Sequence, residues 1–195
     1  MSNVQLTSIY SFLKELKEYG IKNDIPNVSE DTGRFLNALV RMKRPKNILE
    51  IGCANGYSTI WMAEAAKNVG AKIHAIDKSR PTFEQAKINI PKAGFGDVVE
   101  FHFGDAISVI NSFSPELMFD FVFVDGEKRS YLDFWKTVEP RLTKNGVALF
   151  DDMVLFPEKT RDFSKYIETL MGFDKILLPA DENDGILLLA KKSSL

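Results

Sequence analysis

The feature that most constrains this chain is an alternation that begins after Pro26: short, mostly apolar runs, each followed by a longer stretch with helical spacing. Residues 47–51, 72–76, 98–103, 121–124 and 147–150 read as strands buried on both faces. Between them, residues 58–67, 81–93, 106–113 and 131–142 read as helices. Parallel strands need a crossover of a dozen or more residues, and a helix supplies one. Residues 175–178 and 185–190 are joined only by the polar stretch 179–184, too short for a crossover, so they pair antiparallel. The expected fold is α/β: a seven-stranded, mostly parallel sheet with a C-terminal antiparallel hairpin and helices on both faces.

A chain of 195 residues has room for one domain of ordinary size, and 45% hydrophobic with 27% charged residues excludes a disordered polymer. Residues 1–195 therefore read as a single domain, with 1–27 a helical extension and 28–195 the core. In that extension Val4, Ile9, Phe12, Leu13 and Leu16 recur at helical spacing and Gly20 reads as the cap. Lys and Glu interrupt the apolar residues there, which excludes a signal sequence or a membrane span. The lone Cys53 excludes an intramolecular disulfide and a cysteine-rich zinc site, and it suits a cytoplasmic setting. A formal charge of -2 lacks the basic excess that drives nucleic-acid binding, so such binding would need a local patch. The run Lys43, Arg44, Pro45, Lys46 reads as a solvated helix end.

In open sheets of this kind ligands bind beyond the carboxyl ends of the strands. The first strand runs into Glu50, Ile51, Gly52, Cys53, Ala54, Asn55, Gly56, Tyr57 and Ser58, a glycine turn that brings backbone close to a nucleotide-like ligand. Glu50 stands where the dinucleotide pattern has its first glycine. A carboxylate there repels a pyrophosphate but favours an ammonium or sulfonium group, and S-adenosylmethionine carries both. Asp77, ending the second strand, is placed to accept from both hydroxyls of a ribose. Gly104, Asp105 and Ala106 after the third strand offer a turn and an acceptor for an adenine amino group. Upstream, Thr32 and Gly33 lie in the segment 29–33 that opens the helix 34–42, whose amides are placed to receive a carboxylate. Ser29 and Asp31 there read as ordinary caps.

Two further strands end on acids, Asp125 and the pair Asp151, Asp152. If those strands are neighbours, the three carboxylates repel one another unless a cation joins them. Oxygen ligands without Cys or His point to Mg²⁺, Mn²⁺ or Ca²⁺ rather than zinc. Asp125 also stands on the cofactor side of that group.

The runs D-T-G-R-F-L-N at 31–37, L-E-I-G-C-A-N-G-Y-S at 49–58, F-D-F-V-F-V-D-G-E-K-R-S-Y at 119–131 and L-F-D-D at 149–152 resemble the cation-dependent, S-adenosylmethionine-dependent O-methyltransferases, the group containing the caffeoyl-CoA and catechol enzymes. The resemblance extends over roughly the whole catalytic domain and implies a Rossmann-like class I methyltransferase fold and a homodimer. It implies that Asp125 and Asp151 bind the cation, with Asp152 standing where the family has asparagine. Mg²⁺ is the first expectation, and the added charge admits Mn²⁺ or Ca²⁺. Lys128 matches the family's catalytic lysine, and a dication with partial desolvation would lower its pKa toward a useful base.

The expected acceptor is a small catechol-like or other vicinal-hydroxyl aromatic, with Met153, Leu155 and Phe156 as apolar walls. Residues 153–157 depart from the family's Trp-containing loop, so acyl-CoA specificity does not carry over. Two alternatives stay open: a methyltransferase acting on a hydroxylated nucleoside in tRNA, and a non-catalytic S-adenosylmethionine-binding module. Cys53 reads as a small loop residue, His74 and His102 as satisfied sheet histidines, and Trp61 and Trp135 as packing residues. Tyr57 and Tyr131 are placed to border the cofactor or substrate.

Overall fold

The computed structural model describes residues 3–181 and 183–192, with the side chains of residues 3–8 and 181 outside the description, so Val4 is placed by its backbone alone. Seven strands form one sheet: β1 (Asn47–Ile51), β2 (Lys72–Asp77), β3 (Val99–Phe103), β4 (Phe119–Val124), β5 (Leu142–Phe150), β6 (Phe173–Asp181) and β7 (Asp184–Lys191). Their order is β3-β2-β1-β4-β5-β7-β6. The first five in that order are parallel, and β7 runs antiparallel to both β5 and β6. The hairpin and the mixed sheet are as the sequence predicts.

Seven helices cover the faces: α1 (Asn3–Lys22), α2 (Glu30–Lys43), α3 (Tyr57–Val69), α4 (Arg80–Lys92), α5 (Ala106–Ser112), α6 (Tyr131–Val138) and α7 (Pro157–Glu168). Side chains alternate across a strand, so neighbours in β1 go to opposite layers. Ile48 packs with Leu13, Leu36, Ile60 and Phe83 from α1 to α4, whereas Leu49 packs with Ile110, Trp135 and Phe163 from α5 to α7. Both tryptophans are buried, as expected.

The strand order reverses at β1 and β4, which leave the sheet centre in opposite directions, and a crevice opens beyond their carboxyl ends. Several element ends differ from the sequence expectation. Gly20 does not end α1, which runs on to Lys22; the carbonyl of Gly20 accepts from the amides of Asn23 and Ile25, and its missing side chain makes room for Asn27. α2 starts at Glu30 rather than residue 34, because Ser29 caps it. The helix expected through residue 142 stops at Val138: Pro140 sits in a 3-10 turn, Glu139–Arg141, and Leu142 already starts β5. α7 was not expected; Pro157 opens it and Phe163 and Ile167, one turn apart, face the core.

Candidate active site

The crevice holds a cavity of about 660 Å³ reached by the ends of β1, β2, β4 and β5, the turn before α5, the start of α7 and the segment joining α1 to α2. At its centre Gly52 has φ 97°, and a Cβ there would stand 2.5 Å from the carbonyl oxygen of Asp125. Only glycine allows the ends of β1 and β4 to approach this closely. Asp77 braces the turn from the side: one carboxylate oxygen accepts from the amide of Ala54 at 2.8 Å, the other from that of Ser79 at 2.7 Å. Each oxygen keeps further acceptor capacity toward the cavity. Asp105 caps α5, and the amide and hydroxyl of Ser108 hold its carboxyl below the usual range. Gly52, Asp77, Asp105, Ala106 and Asp125 all line the cavity.

Six residues expected at the cofactor stand behind this surface. Glu50 is fully buried and takes the hydroxyls of Ser58 at 2.6 Å and Thr59 at 2.5 Å. Burial pushes its carboxyl up to about 7 even though both hydroxyls pull the other way. It pins the start of α3 to β1. Gly56 turns the chain into α3 with φ 91° against Ile90. Tyr57 packs edge-on to Trp61 with ring centres 6.4 Å apart, and Lys17 faces its ring at 5.6 Å. The amides of Thr32 and Gly33 are not free: they donate to the side chain and the carbonyl of Ser29, each at 3.0 Å. A side chain at Gly33 would strike the Trp61 ring. Glu50, Gly56, Tyr57, Ser58, Thr32 and Gly33 thus shape the cavity without lining it.

At the other pole Lys128, 9% exposed, places its ammonium 2.6 Å from Asp125 and 2.8 Å from Asp152. β4 and β5 are neighbours, so the acids after them do meet. Burial, then repulsion from Asp125 and Asp152, pushes the Asp151 carboxyl up to about 8. Burial and a hydrogen bond shared with Asp184 raise Asp152 to about 6, and burial raises Asp125 against the pull of Lys128. Burial works to lower Lys128, but Asp125 and Asp152 outweigh it and hold the amine above its ordinary value. The part of this that burial contributes has the direction the sequence suggests, and the two carboxylates outweigh it. The Tyr131 hydroxyl lies beneath, donating to the carbonyl of Asp151 at 2.9 Å, fully buried rather than bordering a ligand.

The three carboxylates supply hard oxygen ligands and carry more negative charge than one ammonium balances, which fits a dication in charge and chemistry. The Lys128 ammonium is bound to two of the three, Asp125 and Asp152. A dication held there would have to share Asp125 and Asp152 with the protonated Lys128. Of the apolar walls expected after Asp152, Phe156 lines the cavity, whereas Met153 packs into the core and Leu155 is exposed. The sequence reading missed Lys78, Phe134, Lys159 and the segment from Asp24 to Val28, all of which line the cavity. Only Pro157, marking the start of α7, signals one of these from sequence.

The family model described as O-methyltransferase matches residues 5–183. Caffeoyl-CoA O-methyltransferase 1 of Eucalyptus globulus is 34% identical over 145 residues, 72% of this chain and 58% of that protein. Caffeoyl-CoA O-methyltransferase 1 of Arabidopsis thaliana is 33% identical over 156 residues, 75% of this chain and 60% of its own length. The chain thus matches less than two thirds of these relatives. Among solved structures, an O-methyltransferase from Bacillus cereus in complex with SAH superposes with a TM-score of 0.85 at 25% identity, covering 93% of this chain and 91% of that one.

Proposed function

Because the chain belongs to the O-methyltransferase family, we propose that it moves the methyl group of S-adenosylmethionine to one hydroxyl of a small catechol-like or other vicinal-hydroxyl aromatic. The observation that carries this reading is one cavity with two unlike poles: Asp77 and Asp105 as acceptors at one end, Lys128 among three carboxylates at the other. Asp77 accepts from the ribose hydroxyls, Asp105 from the adenine edge, and Gly52 lets the backbone reach the methionine portion. Glu50, Ser58, Gly56, Tyr57, Thr32 and Gly33 keep that surface in place.

Asp125, Asp151 and Asp152 hold a divalent cation, Mg²⁺ first, with Mn²⁺ or Ca²⁺ admitted by the acid at position 152. When bound, the cation supplies charge that acidifies the acceptor hydroxyl and fixes its orientation. Were the charge of Asp125 and Asp152 taken up by that cation, the burial of Lys128 would favour its neutral amine. Lys128 Nζ then takes the hydroxyl proton, the oxygen forms its bond to the methyl carbon, and the carbon–sulfur bond breaks to leave S-adenosylhomocysteine. Phe156 offers an aromatic wall to the acceptor. A homodimer belongs to the same reading and is checked by the mass in solution.

The test is a methylation assay on a catechol panel that includes acyl-CoA acceptors, with and without EDTA. Turnover on a free catechol, lost in chelator and restored by Mg²⁺ or Mn²⁺, is the expected result. Undiminished turnover in EDTA would remove the cation from the reaction.

A further inference from the structure

Apart from the cavity, the two histidines of the chain meet at the edge of the sheet. The parallel register sets His74 of β2 beside Glu100 of the edge strand β3, and Ile76 beside His102. His74, Glu100 and His102 therefore share one face. Nδ1 of His74 lies 3.2 Å from Nε2 of His102 and 3.5 Å from a carboxylate oxygen of Glu100, and the three ligand atoms fall within 4.8 Å of one another. We propose that these three residues form a second metal site, for a borderline divalent transition cation of the zinc class.

Bonds of about 2.0 to 2.1 Å in a tetrahedron put ligand atoms about 3.3 Å apart, close to both separations found here. Two imidazoles and one carboxylate are a donor set for zinc with a fourth position left to water, and imidazole disfavours Mg²⁺ and Ca²⁺. The two rings stack with centres 5.4 Å apart, and Phe113 and Phe119 wall them in. A hydrogen bond between the rings leaves a conflict: if Nδ1 of His74 accepts, its lone pair also faces a carboxylate oxygen, and a single proton on it does not serve both neighbours. A cation among the three satisfies all of them. Burial holds both imidazoles below their ordinary value, against the pull of Glu100 and with Lys72 acting in the same direction as burial on His74, so neutral rings are available. Glu100, 53% exposed, gives access from solvent.

None of the three lines the cavity, yet His74 stands three residues before Asp77 and His102 three before Asp105. A bound ion would clip the two strands that carry the cofactor-pole acids. Co²⁺ serves as the probe, because a tetrahedral nitrogen and oxygen site absorbs strongly in the visible and an octahedral oxygen site only weakly. The full chain, stripped of metal and titrated with Co²⁺, is expected to develop the strong band. His102→Ala and the more exposed Glu100→Gln should each weaken Co²⁺ binding by about tenfold or more, and Asp125→Asn should leave the band intact. Absence of the strong band, its persistence unweakened in Glu100→Gln, or its loss in Asp125→Asn would overturn the proposal. Since Glu100 is half in solvent, its variant keeps the test decisive even if His102→Ala misfolds.

Discussion

In the proposed reaction Lys128 is the base because of what surrounds it, and its surroundings work in both directions. Two carboxylates hold the ammonium charged at rest, while burial favours the neutral amine. Lys128→Met is expected to lower kcat by about 10² to 10⁴, the usual worth of a general base, while calorimetry shows cofactor binding unchanged. A loss confined to KM would contradict the assigned role. Glu50 teaches a different point. Its position at a strand end is plain in the sequence, but its direction is set by strand alternation, which puts it on the face of Ile48 and toward α3, where Ser58 and Thr59 receive it. Its carboxyl rises from 4.5 to about 7 in the fold, so the folded chain keeps a proton that the unfolded chain has released. The stability this gives is complete below about pH 4.5 and is lost as pH rises through about 7. Thermal unfolding of the cofactor-free protein at pH 5 and pH 8 should therefore show a smaller decline for Glu50→Gln than for the native chain. Equal declines would contradict the buried-acid account.

Turns and element ends decide how the site is built. Gly52→Ala would put a methyl group against the Asp125 carbonyl at a residue with φ 97°, at an expected cost of about 1 to 3 kcal/mol. Lower unfolding temperature together with weaker cofactor binding is the expected outcome, and a variant unchanged in both would remove the close approach from the account. The glycine turn was legible because only glycine suits that geometry. The segment from Asp24 to Val28 was not, since its place over the cavity depends on where α1 docks and on Lys17, whose ammonium binds the carbonyls of Asn27 and Val28 at 2.6 and 2.7 Å. α7 was missed for a similar reason: its exposed face is strongly polar, and the pair Phe163 and Ile167 is a thin apolar signal on its own.

Across the whole molecule, parallel strands gather their carboxyl ends on one side, which is why Asp77, Asp105, Asp125, Asp151 and Asp152 were readable as one constellation from a single chain. The alternation of apolar runs and helices conveyed the sheet, but strand order and side-chain direction separated residues on the cavity from those behind it. The meeting of His74 with His102 was hidden for the same reason, because it depends on the register of β2 with β3. Hard carboxylates and borderline imidazoles then stand at two places on one sheet, with different cation preferences. The most direct test of the central claim is an anomalous-difference map from crystals grown with S-adenosylhomocysteine, Mn²⁺ and a catechol. The account predicts a manganese peak among Asp125, Asp151 and Asp152, with Lys128 released from them and facing the acceptor hydroxyl. No peak at saturating Mn²⁺, with Lys128 still bridging Asp125 and Asp152, would contradict it.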